Sequence, residues 1–185
     1  RGLGDVYKRQ EDDGFAFTDY NVVTNAWHYA ALKQMEGIAG ALGKQDDVAF
    51  YASESDAFKK RFIRSFFDVR KGYFTDGLAA DTDHASLHGN MFPLAFDLVP
   101  AGKKQNVVDF IQTRGMACSV YGSQFLMDAL YEANDAEYAL HMLTKTDDRS
   151  WYNMIRVGST ISLEAWDNKY KPNQDLSLIH ISEPT

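Results

Sequence analysis

Apolar residues recur at helical spacing in six successive stretches of this chain, each closed by a polar, glycine- or proline-bearing turn. Recurrence at three and four residues is what a 3.6-residue turn demands of a buried face. From Thr24 onward the first run is Trp27, Ala30, Ala31, Met35, Ile38, Ala39 and Leu42, and Gly43 ends it, as suits a helix C-terminus. A second helix is predicted from about Asp46 to Phe67, with Tyr51, Ser55, Phe58, Phe62 and Phe66 on one face. Asp68–Gly77 is polar, glycine-bearing and aromatic, and reads as a loop or small hairpin.

The third run, Leu87, Met91, Leu94, Ala95 and Leu98, is interrupted by Gly89 and Pro93. An interior proline costs roughly 3 kcal/mol in an ordinary helix, so a first-turn proline or a functional kink is expected here. After the Pro100–Gly102 turn, Val107, Val108, Phe110 and Ile111 make a fourth helix between Lys103 and Thr113, stopped by Gly115. Tyr121, Phe125, Leu126, Ala129 and Leu130 make a fifth. A sixth starts near Asp135 and carries Tyr138, Ala139, Met142 and Leu143.

Three successive helix pairs with compact connections predict an all-α fold of about three stacked hairpins, in a solenoid or a closed toroid. The pairs differ in length and loop content, so no fixed-period array is expected. Linkers into the third and fifth helices are polar and aromatic, whereas those into the second, fourth and sixth are plain. That alternation favours a toroid with functional loops at one rim.

Composition removes other classes. With 45% hydrophobic and 24% charged residues in 185, the chain is a globular domain of ordinary size. A net charge of −7 and the lack of a basic stripe argue against nucleic acid. The cluster Lys59, Lys60, Arg61 and Arg64 stands beside Glu54 and Asp56 and reads as a solvated face. No run of 18 apolar residues exists, so no membrane span is expected. A lone Cys118 excludes an internal disulfide and a cysteine zinc site and is read as a buried small residue. Neither charge nor cysteine usage fixes a compartment. The ends, residues 1–10 and 176–185, resemble translated sequencing-adapter read-through, so the domain is expected to occupy 11–175.

Asp148–Asp167 (DRSWYNMIRVGSTISLEAWD) concentrates the candidate chemistry. Glu164 stands among Leu163, Ala165 and Trp166, and burial against tryptophan raises a carboxylate's pKa toward acid or base work. A structural salt bridge or a helix cap is the alternative. Trp151 and Trp166 would stack on a sugar or pack the core. His84 and His88, on a loop with Asp81 and Asp83, invite a metal, but their spacing lacks a zincin pattern; substrate hydroxyl binding is the preferred functional reading, and a plain core or surface histidine is the alternative. Tyr121 and Asn25 begin helices and are candidate hydrogen-bonders to sugar, with helix capping and packing as the alternatives.

Residues 18–175 resemble the later part of the six-hairpin catalytic domain of bacterial α-L-rhamnosidases (glycoside hydrolase family 78). The resemblance is carried by DYNVVTNAWHYAALKQMEGIAGALGK, SLHGNMFPLAFDLVP, RGMACSVYGSQFLMDALYEANDAEYALHMLT and SWYNMIRVGSTISLEAWD. The last is the most diagnostic, since a tryptophan-containing run leads through Gly-x-Thr into a glutamate followed by an aromatic. The resemblance implies a partial (α/α)6 barrel, inverting hydrolysis of terminal α-L-rhamnosides, a carbohydrate substrate, and no cofactor or metal. It makes Glu164 the general base; Trp151, Trp166, His84, His88, Tyr121 and Asn25 stand beside it as the weaker candidate substrate contacts read from the residues themselves.

Inverting enzymes set two carboxyl groups roughly 6.5–9.5 Å apart. The resemblance puts the general acid on a loop before the region matching Tyr20, outside this chain, so the chain alone is expected to be inactive. It implies a histidine-bearing segment after Asp175, which is not carried onto His180. It also implies that the isolated chain exposes inner-helix surface and aggregates. Two other readings stand beside it: another six-hairpin glycosidase or polysaccharide lyase, and a non-catalytic helical-repeat interaction module with Glu164 tied to an arginine or a helix terminus.

Overall fold

The computed structural model describes residues 11–167 and 169; the expected terminal read-through segments lie outside these residues. Seven helices and one small sheet form among them. Helix α1 spans Val22–Ala41 and α2 Gln45–Phe66. The Asn21 side chain caps α1 by accepting from Thr24 N at 2.9 Å. Gly43, at φ +70°, makes the left-handed turn between the helices that a side chain would resist. Strands β1 (Phe67–Asp68) and β2 (Tyr73–Phe74) then pair antiparallel, as the hairpin reading of 68–77 expected.

Helix α3 (His88–Ala95) precedes α4 (Lys104–Arg114), and α5 (Gly122–Glu132) precedes α6 (Ala136–Thr144). A short α7 covers Trp151–Arg156. The sequence reading had no helix there, yet Ser150 supplies an N-cap, its Oγ accepting from Asn153 N at 3.0 Å. Helix α3 is shorter than its stripe predicted. Pro93 sits in its last turn rather than its first, and the helix ends two residues later. Asp97 at φ +56° turns the chain there, so Leu98 is buried in the core from outside the helix.

The helices pack as α1 with α2, α3 with α4 and α5 with α6, and α3 lies between α1 and α5. Trp27 of α1 meets Phe92 of α3 and Phe125 of α5 at ring distances of 5.5 and 5.1 Å. Each ring belongs to the N-terminal half or middle of its helix. Space beyond Gly122, the first residue of α5, is bounded by Met91 of α3. Val22, first in α1, stands beside Gly89, second in α3. Farther along, Trp27 meets Phe96 and Phe96 meets Phe125, so the three helices run parallel with their N-termini at one end.

The core face of α1 differs from the stripe read in the sequence. Val22, Ala26, Tyr29, Ala30 and Ala39 are buried, while Trp27, Met35, Ile38 and Leu42 are 40, 41, 52 and 66% exposed. Helix α1 is apolar on more than one side, and only the side facing α2 and α3 is covered. An apolar pattern that runs round a helix belongs to a helix built for neighbours on several sides, so periodicity alone could not select the face.

Candidate functional site

At the end where α1, α3 and α5 begin, a buried carboxylate joins three segments. Asp76, two residues beyond β2, is fully buried. Its Oδ1 accepts from Ser86 N at 3.0 Å and Ser86 Oγ at 2.7 Å. Its Oδ2 accepts from Ala16 N at 3.0 Å and faces His84 Nδ1 at 2.6 Å. Four partners surround its two oxygens, as a polar group at zero exposure requires. The backbone of the same residue accepts from Val22 N at 2.9 Å and donates to His84 O at 2.8 Å. Asp76 thus fixes the start of α1, the approach to α3 and the segment around Ala16 together.

That segment carries a second carboxylate. Asp13 Oδ2 accepts from Leu87 N at 2.6 Å and from Arg114 Nε at 2.8 Å, and Asp13 Oδ1 also binds the guanidinium. The pairing holds the Arg114 pKa above its usual value. His88, the first residue of α3, has its Nδ1 buried without a hydrogen-bond partner. Burial pushes its pKa below the ordinary 6.5, against the opposing pull of Asp13, Asp12 and Asp76.

Glu164 stands on the turn following α7. Sequence reasoning expected this carboxylate to be enclosed by apolar residues; instead Glu164 is exposed, while Ala165 and Trp166 beside it are buried. The turn is pinned where those neighbours enter the core. Trp166 donates its indole N–H to Cys118 O at 2.7 Å, and its own carbonyl accepts from Asn153 Nδ2 at 3.0 Å. Trp151 crosses its ring edge to face at 5.1 Å. Cys118 lies just before α5, so the turn bearing Glu164 is fastened to the end where the parallel helices begin. Trp166 is fully buried among the described residues. Trp151, half-buried at the start of α7, keeps part of its surface open.

The other candidates fall at the same end. Tyr121, directly before α5, is 76% exposed. Asn25 lies in the first turn of α1 and donates from Nδ2 to Asn21 O at 2.8 Å. His84 is oriented by Asp76 rather than by its sequence neighbours Asp81 and Asp83; Asp83 is exposed and stands 3.9 Å from Lys71. Among the described residues no group of three His, Cys, Asp or Glu side chains is arranged to hold a metal ion. None of the described helices is long and apolar enough to cross a membrane. An open cleft of about 500 Å³ lies beside the Cys118 anchor, lined by Arg114, Gly115–Ala117, Lys145 and Asp147–Arg149.

Sequence reasoning missed Asp76, Asp13 and Asn153. Their types are ordinary in loops and early helix turns, and their partners lie 10, 101 and 13 residues away respectively at Ser86, Arg114 and Trp166. One usable signal was Gly89 early in α3: a side chain there would meet Asp76 Oδ1 at 2.7 Å.

Comparison with known proteins gives this end a context. Residues 1–183 match the bacterial alpha-L-rhamnosidase 6 hairpin glycosidase domain. No curated protein matches. The fold is similar to that of an alpha-L-rhamnosidase from Dictyoglumus thermophilum, with a TM-score of 0.65 and 23% identity over 77% of this chain and 16% of that one. It is also similar to an alpha-L-rhamnosidase from Aspergillus terreus, with a TM-score of 0.69 and 21% identity over 90% of this chain and 19% of that one. The chain thus spans less than a fifth of either solved relative. At these identities the structural likeness speaks for fold alone, whereas the domain match runs through nearly every residue, parallel helices and Glu164 turn included: the chain belongs to the bacterial α-L-rhamnosidase six-hairpin glycosidase family.

Proposed function

We propose that this chain is a segment of a toroid of six helical hairpins that releases terminal α-L-rhamnose by inverting hydrolysis, with Glu164 as the general base. The observation that carries the reading is the exposed Glu164 on a turn fastened by Trp166 to Cys118, at the end where α1, α3 and α5 begin. A general base must reach a water molecule and hold still while doing so. Exposure supplies the first condition and the buried anchor the second. The names of the two solved relatives, both alpha-L-rhamnosidases, support the choice of sugar.

In this reading His84, His88, Tyr121, Asn25 and Trp151 surround the sugar, and Trp166 serves as the anchor. The general acid comes from outside the chain, so the segment acts only within a whole catalytic domain. The exposed side of α1, from Trp27 to Leu42, is then surface that the rest of the toroid covers.

The test is an aryl glycoside panel offered to a whole catalytic domain containing this segment, with the first-formed sugar followed by proton NMR. Release from the α-L-rhamnoside with the β anomer appearing first is expected. Release of the α anomer first contradicts inversion, and preference for another glycoside contradicts the substrate.

A further inference from the structure

We infer that Asp76 is a positioning residue that locks the His84 ring and turns His84 Nε2 outward as the hydrogen-bonding atom offered to a substrate hydroxyl. The inference rests on the proposed sugar site. Asp76 is fully buried, and the His84 side chain is 42% exposed. A contact between them at 2.6 Å therefore joins a fixed group to an accessible one.

Three observations fix the direction of the ring. Asp76 Oδ2 faces Nδ1 and not Nε2, and a carboxylate partner requires a proton on the nitrogen it faces. The carboxylate cannot swing away, because Ser86 N, Ser86 Oγ and Ala16 N hold both its oxygens. His84 N also donates to Thr82 Oγ1 at 3.0 Å and His84 O accepts from Asp76 N at 2.8 Å, so the backbone is held from both sides. The variable proton is left to Nε2, which has no protein partner among the described residues. A side chain at Gly14 would stand 3.6 Å from Nε2, and its φ of +70° favours glycine there.

The geometry matches the way a carboxylate behind a histidine sets tautomer and direction for whatever the far nitrogen contacts. An unprotonated Nε2 accepts from a sugar hydroxyl; a protonated one donates. Asp76 itself touches no substrate.

The test reads the ring nitrogens of His84 by 15N NMR at mildly alkaline pH in a whole catalytic domain containing this segment, together with L-rhamnose affinity. Wild type is expected to show Nδ1 protonated and Nε2 bare, with the Nε2 resonance moving on addition of L-rhamnose. Asp76→Asn is expected to reverse the tautomer and to weaken L-rhamnose about tenfold, the scale of one hydrogen bond. His84→Ala should weaken it similarly, and the double variant no further. A wild-type ring protonated at Nε2 overturns the inference without any variant, whether or not Asp76→Asn folds. An Asp76→Asn effect that persists in full on the His84→Ala background also overturns it, since Asp76 would then act by general structure. With the expected tautomer but no response of His84 to L-rhamnose, the presenting role is overturned. None of these results depends on Glu164 or on turnover, so the glycosidase reading stands or falls separately.

Discussion

Trp166 donates its indole N–H to the carbonyl of Cys118 across 48 residues of chain, at 2.7 Å and with both residues fully buried. This contact decides where Glu164 stands, because only Ala165 separates the glutamate from the anchor. Replacing Trp166 with Phe keeps an aromatic ring but leaves the Cys118 carbonyl short of its donor. A buried group stripped of its partner costs about 1–3 kcal/mol. Chemical denaturation should show a loss of that size, and hydrogen exchange should rise first in residues 159–167. Unchanged exchange there would mean that the turn is held by other contacts.

Gly89 offers a test of the Asp76 node by a change of sign. Gly→Ala inside a helix ordinarily stabilises by about 1 kcal/mol. Here the new Cβ would stand 2.7 Å from Asp76 Oδ1 and 3.1 Å from Val22 Cγ1, and such overpacking costs about 1–3 kcal/mol. Gly89→Ala should therefore lower the denaturation midpoint. A raised midpoint would show that the node yields.

The His88 imidazole makes stability depend on mild acid. Burial lowers its folded pKa below 6.5, so between that lower value and 6.5 the unfolded chain holds a proton that the folded chain does not. Stability then rises with pH through the window; the contribution is complete above 6.5 and is lost as pH falls toward the folded value. Thermal melts of wild type and His88→Gln should diverge in slope below pH 6.5, with wild type the steeper. Parallel slopes would contradict the shift.

Burial pushes the Cys118 thiol up to about 12, so almost no thiolate exists at neutral pH. Iodoacetamide should leave the native chain unlabelled and modify it fully in denaturant. Fast labelling of the folded chain would mean that the floor beneath Trp166 opens.

How legible all this was in the sequence depends on the range of the forces involved. The helices were readable because their signals are local: Gly43 at a left-handed turn, Asp135 capping α6, and the Phe58–Phe62–Phe66 face of α2. The covered side of α1 was not, since apolar residues occupy its other sides as well. The shortness of α3 depended on Asp97 taking a left-handed turn, a local event with a weak signature in an aspartate. Family resemblance and local composition singled out Glu164 but misjudged its surroundings, because flanking apolar residues say nothing about which of several neighbours turns inward. Asp76 was invisible for a different reason: its value lies in partners brought together by packing, from Ala16 to Ser86.

The most direct measurement of the central claim is the turnover of an aryl α-L-rhamnoside by a whole catalytic domain containing this segment, before and after Glu164→Gln. Loss of a general base lowers the rate by about 10²–10⁴-fold, so kcat should fall by that order with the fold intact by circular dichroism. A variant that keeps its kcat within about threefold, a difference below 1 kcal/mol in barrier, would contradict the assignment of Glu164 and the mechanism built on it.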